Sequence, residues 1–200
     1  QTPFFGTLTF GSGVLFFPIS FIFGDILTEV YGYAASRRVI WAGFAGLAFA
    51  SLMAWMILAL PPAPFWHDQA AYETAFGSTW RISLAGLIGF AVGEFTNSWI
   101  MAKMKIWSAG KHLWQRTISS TVVGESIDTI IFVPLAFWDT GIIPNDKIAL
   151  IIEAQIISKI GVEVAFTPII YKIIAFLKKE ESEDYYDYKT NFNPFSLKLK

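Results

Sequence analysis

Seven carboxylates stand in stretches otherwise built from Phe, Ile, Leu, Val and Ala: Asp25, Glu29, Glu94, Glu125, Asp128, Glu153 and Glu163. Lys159 is the one clear base among them, with Arg116 at the edge of another such stretch. Three segments repeat one pattern. Gly24-Asp25-Ile26-Leu27-Thr28-Glu29, Gly93-Glu94-Phe95-Thr96-Asn97-Ser98 and Gly124-Glu125-Ser126-Ile127-Asp128-Thr129 each set an acid after a glycine, then polar groups three and four residues on. Positions i, i+3 and i+4 share a helix face, so each segment presents a short polar stripe. The glycine admits close approach of a neighbouring backbone or a ligand. Gln155, Lys159 and Glu163 add a fourth stripe at i, i+4 and i+8. Uncompensated acids on such faces must meet one another, a cavity or a ligand. They suit recognition of hydrogen-bond donors, proton coupling or general acid–base chemistry.

Other chemistries lack their residues. The chain has no cysteine, so thiolate catalysis and zinc–thiolate sites are excluded. His67 and His112 lie far apart in polar segments, so no metal site is expected. A formal net charge of −1 offers no basic face for nucleic acid.

The elements that hold the stripes follow from composition. Hydrophobic residues make up 54% of the 200 and charged residues 16%, with a mean hydropathy of +0.49. Charge crowds after Leu177, which leaves the rest poorer still. Such a chain cannot cover a soluble globule, and it reads as an all-α, polytopic membrane protein. A span needs roughly 20 apolar residues. Five stretches meet that need, at about 13–33, 39–60, 82–102, 117–138 and 148–177. A charge at mid-bilayer costs at least about 2.5–3.5 kcal/mol, which makes the acids within these spans expensive.

The connections alternate in charge. Ser36-Arg37-Arg38, the segment 103–116 with Lys103, Lys105, Lys111 and Arg116, and Lys178-Lys179 are basic. The segments 61–80 and 139–147 are acidic or proline-rich. The basic segments belong on the cytoplasmic side. That places the C-terminus inside and Gln1 outside, so a sixth, upstream helix is expected in the intact protein. The tail 178–200 is expected to be a cytoplasmic, solvated or peripherally docked extension. A homo-oligomer is left open.

With the stripes and loops placed, a family resemblance emerges. Phe23-Gly24-Asp25-Ile26-Leu27-Thr28-Glu29-Val30-Tyr31-Gly32-Tyr33 with Arg37-Arg38-Val39-Ile40-Trp41 resembles the D-x-x-T-E-x-Y-G signature of the queuosine precursor transporters, also called the YhhQ or vitamin uptake transporter family. The resemblance continues through Glu94 to Ser98, Ala102 to Lys105, Trp114 to Ser120, Gly124 to Phe132, Lys159 with Glu163, and Asn191-Phe192-Asn193-Pro194-Phe195. It departs at the N-terminus, where the family's first helix has no counterpart. The resemblance implies import of 7-deazaguanine bases, such as 7-cyano-7-deazaguanine and 7-aminomethyl-7-deazaguanine, across a prokaryotic cytoplasmic membrane, with no cofactor.

A guanine-like edge sets an N–H beside an amino group, which one carboxylate accepts in pairs, while an aromatic face stacks on the ring. On this reading Asp25, Glu29, Glu94, Asn97 and Asp128 are expected to line one cavity, with Arg116 and Ser120 near its cytoplasmic mouth. Lys159 and Glu163 are expected to form an ion pair, structural or coupling. Thr28, Ser98, Ser119 and Ser120 serve equally well as interhelical glue. Two alternatives stand beside the carrier: a binding subunit docked on an ATP-driven module, and an intramembrane enzyme using Asp25 and Glu29. The chain has no G-x-x-x-x-G-K-[ST] pattern for nucleotide hydrolysis of its own.

Overall fold

A computed structural model describes residues 17–76 and 79–196, and among them every regular element is helical. The helices are α1 (Phe17–Tyr31), α2 (Tyr33–Ala59), α3 (Gln69–Phe76), α4 (Thr79–Trp107), α5 (Leu113–Phe137) and α6 (Ile148–Glu181), the last preceded by a 3₁₀ turn at Asn145–Lys147. Helix α2, helix α5 and the segment Asn145–Glu181 are long and apolar enough to cross a membrane. Helix α4 has 29 residues, but its glycines, Arg81, Glu94 and Asn97 dilute its hydropathy. In the most apolar 18-residue stretch of α2 no residue is buried, so this helix turns its side chains outward. Phe49, Trp55 and Ile57 on α2 join Ile130, Ile157, Ile169 and Phe176 on an exposed apolar surface suited to lipid.

The helices outrun the hydropathy segments. Apolar content marks where lipid is tolerated, whereas helical hydrogen bonding continues past it. Thus α4 runs on to Trp107, and α6 to Glu181. The largest departure is at Ser36-Arg37-Arg38, read from sequence as a loop. These residues lie in α2, and Gly32 alone joins α1 to α2. Gly32 holds φ at 82°, a conformation open to glycine at little cost. A Cβ there would also strike the Tyr185 ring and come within 3.0 Å of the Asp187 carboxylate. Residues 13–16 of the first expected span lie outside the described residues.

Helices α4 and α5 pack most closely. A Cβ on Gly93 would stand 2.8 Å from Asp128 Cβ and 2.9 Å from the Gly124 carbonyl. One on Gly124 would stand 2.7 Å from Asn97 Cβ. Two of the three stripe glycines therefore serve a helix–helix crossing in the small-residue manner of membrane bundles. At the opposite end from the lysines, Arg81 donates to the carbonyls of Leu135 and Trp138 (2.6 and 2.8 Å) and satisfies the end of α5.

Layers alternate along α6. Val133, Ile148 and Ile151 form one apolar cluster. Lys159 and Glu163 follow, and then Ile170 and Ile174 join Ile22, Ile26, Val30, Met101 and Leu113 in a second cluster. Polar side chains are thus held between two apolar plugs. The tail is docked across the Lys-rich end. Asp187 accepts from the Tyr33 N–H (3.2 and 3.1 Å) and so caps α2. Arg37 donates to the carbonyls of Asn191 and Asn193 (2.6 and 2.8 Å), and Trp41 Nε1 to that of Pro194 (2.7 Å). Lys103 lies 3.9 Å above the Phe192 ring. This docking is why Arg37 is buried although its neighbours in sequence read as a surface loop.

Candidate functional site

Six of the seven acids turn inward: Asp25, Glu29, Glu94, Glu125, Asp128 and Glu163 are all buried. Glu153, in the second turn of α6, is exposed. The buried acids separate into an ionic layer near the Lys-rich end and a central cluster deeper in the bundle.

In the ionic layer Arg116 donates from Nε to Glu29 Oε2 (2.8 Å) and from Nη2 to Oε1 (2.7 Å). Lys178 Nζ reaches the same Oε1 at 2.6 Å. Lys105 Nζ donates to the Glu29 carbonyl (2.5 Å) and stands 3.7 Å from its carboxylate. Asp184 in the tail bridges the two lysines, at 2.6 Å from Lys105 and 2.8 Å from Lys178. Glu29, expected to line the cavity, and Arg116, expected near its mouth, pair with each other. Their pairing joins α1 to α5, and two separate helical stripes cannot reveal it. Lys105, Lys178 and Asp184 were read as loop and tail charges. Their meeting, with Lys105 buried, Lys178 half-buried and Asp184 exposed, follows from helices that extend past the apolar stretch and a tail that folds back.

In the central cluster Asn97 Nδ2 donates to Asp25 Oδ1 at 2.6 Å. The Thr28 hydroxyl donates to the Gly24 carbonyl (2.8 Å) and lies 2.8 and 3.1 Å from the hydroxyls of Ser36 and Ser98. The Glu94 carboxylate lies against Gly24, where a Cβ would collide with Oε1. The first stripe's glycine thus makes room for an acid. Lys159 takes Glu125 (2.6 Å), Asp128 (2.7 Å) and Thr129 Oγ1 (3.1 Å). The expected Lys159–Glu163 pair is therefore replaced by a cluster with α5, and neither Glu163 oxygen has a hydrogen-bond partner among the described residues. The reason is geometric: the ammonium is drawn across to the two α5 acids one turn apart. Ser120 donates to the Thr117 carbonyl at 2.9 Å, a bond within its own helix.

The central cluster is one-sided in hydrogen bonding. Asp25 Oδ2, Glu94 Oε2, Asn97 Oδ1, Glu125 Oε1 and both Glu163 oxygens lack a hydrogen-bond partner among the described residues. All are acceptors. Buried acceptors without donors are costly, and the group that relieves them must bring N–H, O–H or positive charge.

A cleft of about 240 Å³ between α1, α2 and α4 leads to this cluster. Glu94, Gly24 and Ser36 give its polar wall, and Phe23, Leu27 and Phe90 its apolar one. Phe23 is exposed, whereas Glu94 is buried, so the cleft runs from the surface to the acid. Of the expected site residues it touches only Glu94. Asp25 and Asn97 are joined to each other, and Asp128 belongs to the lysine cluster. Phe23, Phe90 and Ser36 had no signal in sequence beyond membership of apolar or basic stretches.

The sequence profile of a family described as "Putative vitamin uptake transporter" matches residues 11–173. A "Probable queuosine precursor transporter" of Bacillus subtilis (strain 168) is 29% identical over 175 residues, covering 87% of this chain and 76% of that protein. A "Queuosine precursor transporter" of Escherichia coli (strain K12) is 25% identical over 126 residues, covering 63% of this chain and 54% of that protein. No solved structure matches the chain significantly.

Proposed function

The chain belongs to the vitamin uptake transporter family, and on that premise we propose that it imports 7-deazaguanine precursors of queuosine. The observation that carries the reading is the acceptor-only cluster at the end of an aromatic-walled cleft. A 7-deazaguanine offers what such a cluster lacks. Its N–H and exocyclic amino group lie side by side, and the aminomethyl form adds a cation. Glu94 accepts the paired donors, Phe23 and Phe90 flank the planar ring, and Asp25 with Asn97 lies behind. Glu29 and Arg116 close the Lys-rich end rather than touch the base. The protein acts as a carrier that returns its substrate chemically unchanged. It sits in the cytoplasmic membrane with the Lys-rich end and the C-terminal tail inside, a placement that the loop charges support.

The test is uptake of a labelled 7-aminomethyl-7-deazaguanine into liposomes holding the purified protein, with the contents analysed for unaltered compound. Glu94→Gln exchanges an acceptor for a donor at constant shape. A mismatched buried contact of about 1–3 kcal/mol corresponds to a roughly five- to hundredfold loss of binding. A folded Glu94→Gln protein that binds the base as the parent does would overturn this placement.

A further inference from the structure

Glu163 lies beside the proposed base site without lining its cleft. The residue is 1% exposed, and neither carboxylate oxygen has a hydrogen-bond partner among the described residues. Its charged neighbours are Asp25 from α1 and Glu125 from α5. On its own helix, Lys159 is engaged by Glu125 and Asp128. From α4, Glu94 shares two charged neighbours with Glu163, Asp25 and Glu125. The central cluster therefore holds the carboxylates Asp25, Glu94, Glu125, Asp128 and Glu163 against the one ammonium of Lys159 among the described residues. Full ionisation of such a group, away from water, is not sustainable. Part of its charge must be neutralised by something bound.

Besides a cationic base in the cleft, two neutralising partners are chemically available, a metal cation or a proton. Among the described residues no three acidic or histidine side chains gather closely enough to hold a metal ion. A proton needs only one oxygen. Glu163 offers it two oxygens without a hydrogen-bond partner among the described residues, and Asp25 neighbours both this acid and Glu94.

We propose that the carrier is a proton symporter in which Glu163 takes up and releases the coupling proton. The inference rests on the function proposed above. No covalent chemistry is involved: a proton from the outer water joins a Glu163 oxygen, crosses with the carrier's change of state, and leaves to the inner water. Asp25 relays the charge state of Glu163 to the base site, so that proton and base are taken up together.

Two measurements test it. In liposomes, an acid-outside gradient should drive accumulation of the labelled base by the parent protein. A protonophore should abolish it, and a sodium gradient should not replace it. Glu163→Gln should keep base exchange across the membrane yet lose uphill accumulation, and Glu163→Asp should recover part of it. Independently of substrate, infrared spectra of the purified parent should show a protonated-carboxyl band that Glu163→Gln removes. Accumulation by Glu163→Gln equal to the parent's, or a band unchanged by the substitution, overturns the proposal. Parent protein that neither binds nor moves the base under any gradient overturns the substrate reading and the symport with it. The carboxyl band would then still decide whether Glu163 is a proton site.

Discussion

Arg116 grips Glu29 through two nearly equal bonds, 2.8 and 2.7 Å long, with both side chains almost wholly buried. The paired geometry fixes the orientation of both groups. It fastens α1 to α5 just below the apolar cluster formed by Ile26, Val30, Met101 and Leu113. Since Lys178 and Lys105 also converge on Glu29, this one acid is shared by three cations.

That sharing predicts an asymmetry. Glu29→Gln leaves three buried or half-buried cations facing one another, whereas Lys178→Met leaves Glu29 still paired with Arg116. Stranding buried charge costs about 3–5 kcal/mol. We expect Glu29→Gln to lower the thermal midpoint in detergent more than Lys178→Met does. Equal midpoints would show that the layer tolerates its own unbalanced charge.

Gly93 and Gly46 should respond oppositely to alanine. At Gly93 the new methyl meets Asp128 Cβ at 2.8 Å and the Gly124 carbonyl at 2.9 Å, so α4 and α5 must part. Overpacking of this kind costs about 1–3 kcal/mol. At Gly46 nothing lies within 4 Å, and alanine gains up to about 1 kcal/mol of helix propensity. Thermal melts of the two variants, read beside the parent, test the crossing directly.

The tail contains two acids whose titrations oppose each other. Burial tends to raise Asp184, but hydrogen bonds from Lys105 and Lys178 outweigh it and hold its carboxyl below the usual range. Burial raises Asp187, with Thr190 and the Tyr33 N–H offsetting part of the rise. A lowered acid stabilises docking above its ordinary value of about 3.9 and loses that contribution as pH falls through its lowered one. A raised acid works the other way, and its contribution is lost as pH climbs from about 3.9 through the raised value. Hydrogen exchange of residues 184–194 should therefore show protection increasing on mild acidification, then collapsing below about 3.9. Asp184→Asn should abolish the low-pH collapse, and Asp187→Asn the mild-acid increase.

Orientation can be read by single-cysteine labelling. Arg38, Lys111 and Lys179 are exposed at the Lys-rich end, and Glu73 and Asp146 are exposed elsewhere. Cysteines at the first three positions should react only from the cytoplasm, and at the last two only from outside. Reaction of positions 73 and 111 from the same side would end the span assignment. Position 37 is a poor reporter because the tail covers it.

What sequence could show and what it could not divide along physical lines. Polar stripes at Asp25, Glu94 and Glu125 are local, set by helical periodicity, and all three acids are buried. The partner of each polar group depends on which helices adjoin, and no spacing within one helix contains that. Hence Lys159 was matched with Glu163, its neighbour one turn along α6, although Glu125 and Asp128 claim it from α5. Arg37 misled for a related reason. Its charge suggests water, yet the carbonyls of Asn191 and Asn193 solvate it instead, more than 150 residues along the chain.

The docked tail also bears on the order in which the protein can be completed. Helices α1 to α6 all precede residues 184–194 in the chain, so these residues cap α2 and bridge Lys105 and Lys178 only after the helices they join have been made. Until then the Tyr33 N–H at the start of α2 lacks the Asp187 carboxylate, and Arg37 lacks the Asn191 and Asn193 carbonyls. The strap thus acts as a late lock: α1 to α6 can all be in place while the contacts that tie α2 and α4 to the tail are still missing.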